Sequence, residues 1–207
     1  MPYYQLLPAH GSGARFPMDL QTAVHEAGHA VVAMFVGRPV ISVAMDADGR
    51  NGLCTASPAP HWTGYVATCL AGICSTVLHL GDVGEEGSET DCRHIAAKIE
   101  KHAGPEERRH LVERIWSETE RTLALPECVR AVQAIADKLL DTGSLDAEQV
   151  RRLFVANGVV GFVGGFDVLR RGQALGKYRG PDELEPLRRE AIEFVLRAGG
   201  IDGWRLV

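Results

Sequence analysis

The sequence lacks the paired cysteines, the basic surplus and the secretory segment that characterise several classes of protein. Its five cysteines are odd in number and include no C-x-x-C pair, which fits neither a disulfide framework nor a zinc ribbon and favours a reducing, cytoplasmic environment. Lys and Arg total 22 against 27 Asp and Glu, for a formal net charge of -5, so we expect no nucleic-acid partner. Residues 1–16 have no basic flank followed by an apolar core, so no signal peptide is predicted.

The sequence also lacks an uninterrupted apolar run of the length that crosses a membrane. Residues 51–81 contain no Asp, Glu, Lys or Arg, but Pro58 and Pro60 interrupt this stretch. Its most apolar part, residues 65–80, is shorter than the roughly 20 residues that a span requires. We therefore expect a helix buried inside the protein and no membrane span.

Helical patterns dominate the rest of the chain and predict a mainly α fold with one small β-hairpin or sheet element. Apolar residues at helical spacing predict a central helix between Asp19 and Val36, and a hairpin is expected over residues 40–57. Pro105 and Pro126 mark first helical positions of later helices, and a capping box is expected at 146–149. We predict an N-terminal arm (1–18), a core domain (19–156) and, where a glycine-rich apolar texture begins, a C-terminal extension (157–207) with a terminal helix.

His25-Glu-Ala-Gly-His29 matches H-E-x-x-H in the middle of the first predicted helix. A spacing of four residues places the two imidazoles on one helix face, about 6 Å apart at Cβ, where both can bind one zinc ion. Glu26 lies beside that position, where a carboxylate can act as the base for the attacking water. The motif therefore predicts His25 and His29 as zinc ligands and Glu26 as the catalytic residue.

A catalytic zinc site also needs a third protein ligand and an open coordination position. Ser88-Glu-Thr-Asp91 has the pattern of a capping box, in which Asp91 would reach back to the backbone of Ser88. This pattern by itself favours a cap over a ligand. The candidates for the third ligand are the downstream acidic residues and one histidine of the same predicted helix: Asp82, Glu85, Glu86, Glu89, Asp91 and His94.

Several segments resemble the peptidase domain of the FtsH family, the ATP-dependent zinc proteases. Thr22-Ala-Val-His-Glu-Ala-Gly-His-Ala-Val-Val-Ala33 resembles the zinc helix of that family, and Leu70-Ala-Gly72 and Ser88-Glu-Thr-Asp91 resemble later segments. The resemblance covers about residues 19–156. It implies a helical zinc metallopeptidase domain in which Asp91 is the third zinc ligand. It also implies that an edge strand receives the substrate, with Leu53, Cys54, Thr55 and Ala56 as binding residues.

The chain departs from the FtsH pattern at several points. Cys74-Ser-Thr-Val77 replaces the acidic residues that are usual on the buried helix, and no ATPase module accompanies the motif. We therefore expect a stand-alone peptidase that acts on peptides or unfolded polypeptides, as a homo-oligomer or with a separate partner protein. Two alternatives stay open: a zinc-stabilised regulatory or interaction module with little turnover, and a hydrolase of non-peptide amides.

Overall fold

The computed structural model describes residues 18–85, 87–159 and 182–201, which form seven α-helices and a small antiparallel sheet. This confirms the prediction of a mainly α fold with one small sheet. The helices are α1 (Met18–Phe35), α2 (Trp62–Leu80), α3 (Glu89–Glu100), α4 (Pro105–Leu123), α5 (Pro126–Thr142), α6 (Ala147–Ala156) and α7 (Glu185–Ala198). The strands are β1 (Val40–Met45), β2 (Gly52–Ala56) and β3 (Ser144–Asp146). The predicted N-terminal arm, apart from Met18, lies outside the described residues.

Helices α1 and α2 pack against each other at the centre of the protein. Gly28 of α1 permits this close contact, because a Cβ at that position would lie 2.5 Å from the carbonyl oxygen of Ala71 and from Cβ of Ser75. By length and composition α2 could cross a membrane, but 89% of its apolar window is buried inside the protein. The expectation of a buried helix is confirmed, and the motif-bearing helix α1 is held directly against it.

The sheet has the strand order β2-β1-β3, so β2 is an edge strand. The predicted hairpin is β1 and β2, in which Val43 pairs with Cys54 and Ala44 with Leu53. The side chain of Leu53 is 66% exposed, which is unusual for a leucine in a strand. The strand that the resemblance assigns to substrate therefore has a free edge among the described residues.

The capping box at the start of α6 is confirmed. Asp146 Oδ1 accepts a hydrogen bond from the Gln149 N–H at 2.8 Å, and Gln149 Oε1 accepts one from the Asp146 N–H at 2.9 Å. The same segment also forms β3, where Leu145 pairs with Val43. A three-residue strand is too short to produce a recognisable alternation of apolar and polar residues, so the sequence did not predict it.

The terminal helix expected in the C-terminal extension is present as α7, and it packs into the common core. Its residues Ala191, Val195 and Leu196 are completely buried in the same cluster as the apolar residues of α2, α3 and α4. A boundary at residue 157 remains a prediction. The packing of α7 argues that residues 185–201 stabilise the core instead of forming an independent appendage.

A buried ion pair fastens α7 to α4. The Arg188 guanidinium donates to Glu120 Oε1 at 2.6 Å and to Glu120 Oε2 at 2.7 Å, and the side chain of Glu120 is only 3% exposed. Trp116 Nε1 also donates to Glu120 Oε2, at 3.2 Å. Oε1 of Glu120 therefore depends on α7 for its hydrogen bond, whereas Oε2 also has a partner within α4.

We expect Arg188→Ala to lower the free energy of unfolding by about 3–5 kcal/mol, because it leaves the Glu120 carboxylate buried without its counter-charge. Arg189→Ala is the matched control. Arg189 is 77% exposed and pairs with Glu185 at the surface, so its loss should cost at most about 1 kcal/mol. Urea unfolding of the full chain measures both values. Equal midpoints for the two variants would show that α7 is not a part of the cooperative core.

Candidate metal centre

The motif of α1 places His25 and His29 side by side on the face that is directed towards α2 and α3. Their ring centroids are 4.6 Å apart. Nδ1 of His29 lies 2.6 Å from the carbonyl oxygen of Thr68 on α2. Because a carbonyl oxygen can only accept, this hydrogen bond places the proton on Nδ1 and directs the lone pair of Nε2 into the site.

Helix α2 makes room for the second imidazole at Gly72. A Cβ at this position would lie 2.3 Å from Nε2 of His25, which is closer than any real Cβ contact. Glycine is therefore required here by the position of the His25 ring and not by a turn. The Leu70-Ala-Gly72 segment that resembles the FtsH pattern thus has a direct structural role beside His25.

Asp91, in the first turn of α3, completes a cluster of three. Its Oδ2 lies 3.1 Å from Nε2 of His25 and 3.1 Å from Nε2 of His29. The capping interaction that the pattern favoured is absent: the Ser88 side chain does not cap α3, and its Oγ donates to the carbonyl oxygen of Gly84 at 2.7 Å. The interpretation of Asp91 as a cap is wrong, because its carboxylate is turned to the imidazoles.

These three side chains fit a zinc ion. Their donor atoms all lie within 4.8 Å of one another. Tetrahedral zinc with ligands at 2.0–2.1 Å separates neighbouring donors by about 3.3 Å, close to the 3.1 Å found from Asp91 Oδ2 to each imidazole nitrogen. Two imidazoles and one carboxylate are also a donor set that zinc accepts, with a fourth position left for water or substrate.

The charges of the cluster suit metal binding. The neighbouring imidazoles hold the pKa of Asp91 well below its usual range even though burial acts in the opposite direction. Burial opposes the charged form of His29, but the Asp91 carboxylate outweighs this effect and raises the pKa of His29 to about 9. A bound metal ion would replace the second proton of this imidazole at Nε2, so metal binding would release a proton. Asp91 is therefore ionised at neutral pH, as a metal ligand must be.

Glu26 lies beside the cluster of His25, His29 and Asp91 but is not one of its members. Its side chain is only 6% exposed, and Oε2 has no hydrogen-bond partner. Burial raises the pKa of Glu26, while His29, His25 and the backbone N–H of Cys54 act to lower it. Gly52 gives the carboxylate space, since a Cβ there would lie 2.4 Å from Glu26 Cγ. The result is a desolvated carboxylate with one free oxygen next to the metal cluster.

One open pocket of about 580 Å³ joins this cluster to the edge strand. The four residues proposed to bind substrate line the same pocket as the three candidate ligands and Glu26: Leu53, Cys54, Thr55 and Ala56. The Cys54 N–H is directed towards Glu26. The free edge of β2 therefore faces the metal centre.

The other candidates for the third ligand lie elsewhere. Asp82 accepts a hydrogen bond from Gln21 at 3.1 Å, Glu85 pairs with Arg197, and Glu89 is exposed. Glu86 lies outside the described residues. His94 and Cys69 form a second possible metal group, which shares Asp91 with the first.

The pocket also contains Arg38 and Tyr65, which the sequence did not single out. Arg38 follows directly on the glycine that ends α1, and its neighbours along the chain are apolar or proline. A lone arginine in such a segment is a weak signal, since most arginines are exposed at the surface. Its position in the pocket depends on its contacts with Ser57, beyond β2, and with Tyr65 of α2.

A comparison with protein-family models finds one match. Residues 7–81 match the family described as Peptidase M50B-like. This part of the chain is similar to a metallopeptidase family. The matched range contains the H-E-x-x-H helix, β1, β2 and α2, and ends before Asp91. A search of curated proteins finds no match.

The comparison agrees with the sequence analysis at the level of a metallopeptidase and differs from it in the family. The family model that matches is not that of FtsH. A metal-dependent peptidase is thus supported from two directions, by the family match and by the cluster of His25, His29 and Asp91.

Proposed function

We propose that this protein is a zinc metallopeptidase that hydrolyses peptide bonds of peptides or unstructured polypeptides, with an arrangement of ligands like that of the FtsH peptidases. One observation carries the proposal. The nitrogens of His25 and His29 and a carboxylate oxygen of Asp91 converge on one point, and the buried carboxylate of Glu26, with Oε2 unpartnered, lies beside it. The family match at residues 7–81 supports the same class of enzyme.

In this proposal His25, His29 and Asp91 hold the zinc ion. When bound, zinc supplies Lewis-acid polarisation of the peptide carbonyl and lowers the pKa of a water molecule. Thr68 keeps His29 in the tautomer whose Nε2 faces the ion. The buried and mutually bonded side chains reduce the reorganisation that binding requires.

Glu26 moves the proton. Its Oε2, buried and without a partner, accepts a proton from the attacking water and then delivers it to the nitrogen of the departing amine. The raised pKa of Glu26 brings this carboxyl closer to the working pH, which favours both transfers. The backbone N–H of Cys54 fixes the carboxylate without using its second oxygen.

Strand β2 binds the substrate in an extended conformation. Its free edge faces the pocket and offers backbone N–H and C=O groups for pairing, while exposed Leu53 offers an apolar contact. Most backbone groups of a folded protein are already paired, so the proposed substrates are peptides and unfolded segments. The five free cysteines favour a cytoplasmic location, and a homo-oligomer or separate partner protein remains part of the proposal.

The proposal is tested by incubating the full chain with a denatured protein and a peptide library. We expect cleavage that a zinc chelator abolishes and that added zinc restores, with a non-chelating isomer of the chelator as control. Metal analysis of the same sample should find about one zinc per chain. Zinc binding without any cleavage would instead favour the regulatory module. Cleavage of small amides alone would favour a hydrolase of non-peptide amides.

A further inference from the structure

A buried arginine occupies the end of the metal pocket. Arg38 is only 7% exposed. It lines the pocket together with His25, Glu26 and Asp91. Its Nε donates to the carbonyl oxygen of Ser57 at 2.9 Å. Its guanidinium carbon lies 5.1 Å from the centre of the Tyr65 ring. One N–H thus anchors the side chain, and the terminal nitrogens remain for other partners.

A second cation reaches the same aromatic ring. Nζ of Lys98 on α3 lies 5.0 Å from the centre of the Tyr65 ring. Within residues 18–85, 87–159 and 182–201, neither Arg38 nor Lys98 has an ion-pair partner. The two carboxylates that line the pocket with Arg38 are engaged elsewhere: Asp91 is bonded to the two imidazoles, and Glu26 accepts from the backbone N–H of Cys54. Two cations therefore lie against the Tyr65 ring, and neither is paired with a carboxylate of the described residues.

A buried cation such as Arg38 lowers the stability of the fold unless a counter-charge compensates for it. Removing a cation from water without a counter-charge destabilises a fold, and contact with an aromatic face offsets only part of that penalty. Arg188 is also largely shielded from solvent, but it has the Glu120 carboxylate as its ion-pair partner, and Arg38 has no such partner among the described residues. An anionic ligand that enters the pocket would supply to Arg38 what Glu120 supplies to Arg188.

The positions of Tyr65 and Ser57 along the chain indicate which part of a substrate would reach Arg38. Tyr65 precedes Thr68, the partner of His29, by three residues, or about 4.5 Å along α2. Ser57, the partner of Arg38, follows Cys54 by three residues, or about 10 Å in an extended chain. A peptide paired with β2 would therefore place a side chain or its terminus beside Arg38 one to three residues from the bond that is cleaved.

We propose that Arg38, supported by Tyr65 and Lys98, is a specificity-determining residue that binds a carboxylate of the substrate peptide one to three residues from the scissile bond. This inference rests on the proposed peptidase function and names its substrate class. The carboxylate comes from an Asp or Glu side chain or from the C-terminus of the peptide. Arginine binds either through two parallel charge-assisted hydrogen bonds.

The first test uses wild-type protein and needs no variant. A cleavable peptide is prepared with Glu or Gln at each of the three positions on either side of the scissile bond, and with a free or an amidated C-terminus. We expect kcat/KM to fall by about 10- to 100-fold when the responsive carboxylate is neutralised, as expected for the loss of a charge-assisted hydrogen bond. The position that responds shows whether the side chain or the C-terminus is bound.

The second test uses variants of the cation. Arg38→Gln should reduce the ratio of kcat/KM for the carboxylate peptide to kcat/KM for its neutral counterpart to about one, whatever its effect on the two rates in common. Arg38→Lys retains the charge and should retain most of the preference. Lys101→Gln is the matched control, because it removes an exposed cation directly after the C-terminal end of α3, three residues from Lys98. The preference for the carboxylate peptide should be unchanged in this variant.

A binding measurement separates this inference from the proposed function. In the Glu26→Gln background, the uncleaved carboxylate peptide should bind at least 10-fold more tightly than its amide counterpart, and Arg38→Gln should remove the difference. Equal kcat/KM and equal affinity for charged and neutral peptides at every position would overturn the subsite and leave the peptidase intact. A protein that cleaves no peptide but still prefers the carboxylate would contradict the peptidase and support the subsite.

Discussion

Glu26→Gln is expected to reduce peptide hydrolysis by about 10²- to 10⁴-fold, the range typical of the loss of a general base. Glutamine has the size of glutamate and keeps its contact with the Cys54 N–H, but its amide cannot accept the proton of water. Zinc content should stay at the wild-type value, because the proposed ligands are His25, His29 and Asp91 and do not include Glu26. Initial rates on one peptide and metal analysis of the same sample measure both effects.

The matched control is Glu89→Gln, which neutralises an exposed carboxylate two residues from Asp91. Its rate should equal that of the wild type, so that a general effect of charge is excluded. Thermal stability of Glu26→Gln should equal or exceed that of the wild type, since the change relieves the burial of a carboxylate that lacks one partner. Loss of zinc from Glu26→Gln would show that Glu26 holds the ion, and the proposed proton transfer would then be wrong.

Asp91→Ala is expected to weaken zinc binding by more than about 100-fold, since even the residues that orient metal ligands contribute 10- to 100-fold. Two imidazoles on one helix remain, and they lose the oxygen that lies 3.1 Å from each Nε2. Competition with a fluorescent zinc indicator measures the affinity. Hydrolysis should fall in parallel at limiting zinc and recover in part when zinc is in excess.

Two control variants distinguish Asp91 from its neighbours. Glu89→Ala removes an acidic side chain from the same helical turn, and we expect wild-type affinity. His94→Ala removes the histidine of the second possible metal group, which consists of Cys69, Asp91 and His94. We again expect little change in zinc affinity. Similar losses for Asp91→Ala and Glu89→Ala would contradict the assignment, and a larger loss for His94→Ala would move the ion to the second group.

Local patterns in the sequence were sufficient for much of this protein. The first helix, the hairpin, the buried second helix and the helices that begin at Pro105 and Pro126 follow from periodicity and from the properties of single residues. The adjacency of His25 and His29 follows from helix geometry alone, because four residues make about one turn. These features depend on residues that are close in the chain, and a local rule is enough to predict them.

The pattern at Ser88–Asp91 shows where a local rule reaches its limit. The four residues satisfy the capping-box pattern, yet Asp91 bonds to imidazoles 62 and 66 residues earlier in the chain. A capping hydrogen bond is weak enough that a pair of buried histidines outweighs it. Only the packing of α1 and α3 against α2 brings the two imidazoles within reach of Asp91, and no short segment contains that information.

The sequence by itself determined the helical class of the fold, the pair of histidines and the neighbouring glutamate, because each arises from the period of one helix. The tertiary structure decided the direction of Asp91, the glycine requirement at Gly72, the association of α7 with the core and the burial of Arg38 in the pocket. Each of these depends on contacts between segments far apart in the chain. Such contacts form only when several elements pack together, and they leave no periodic signal in the sequence of any one of them.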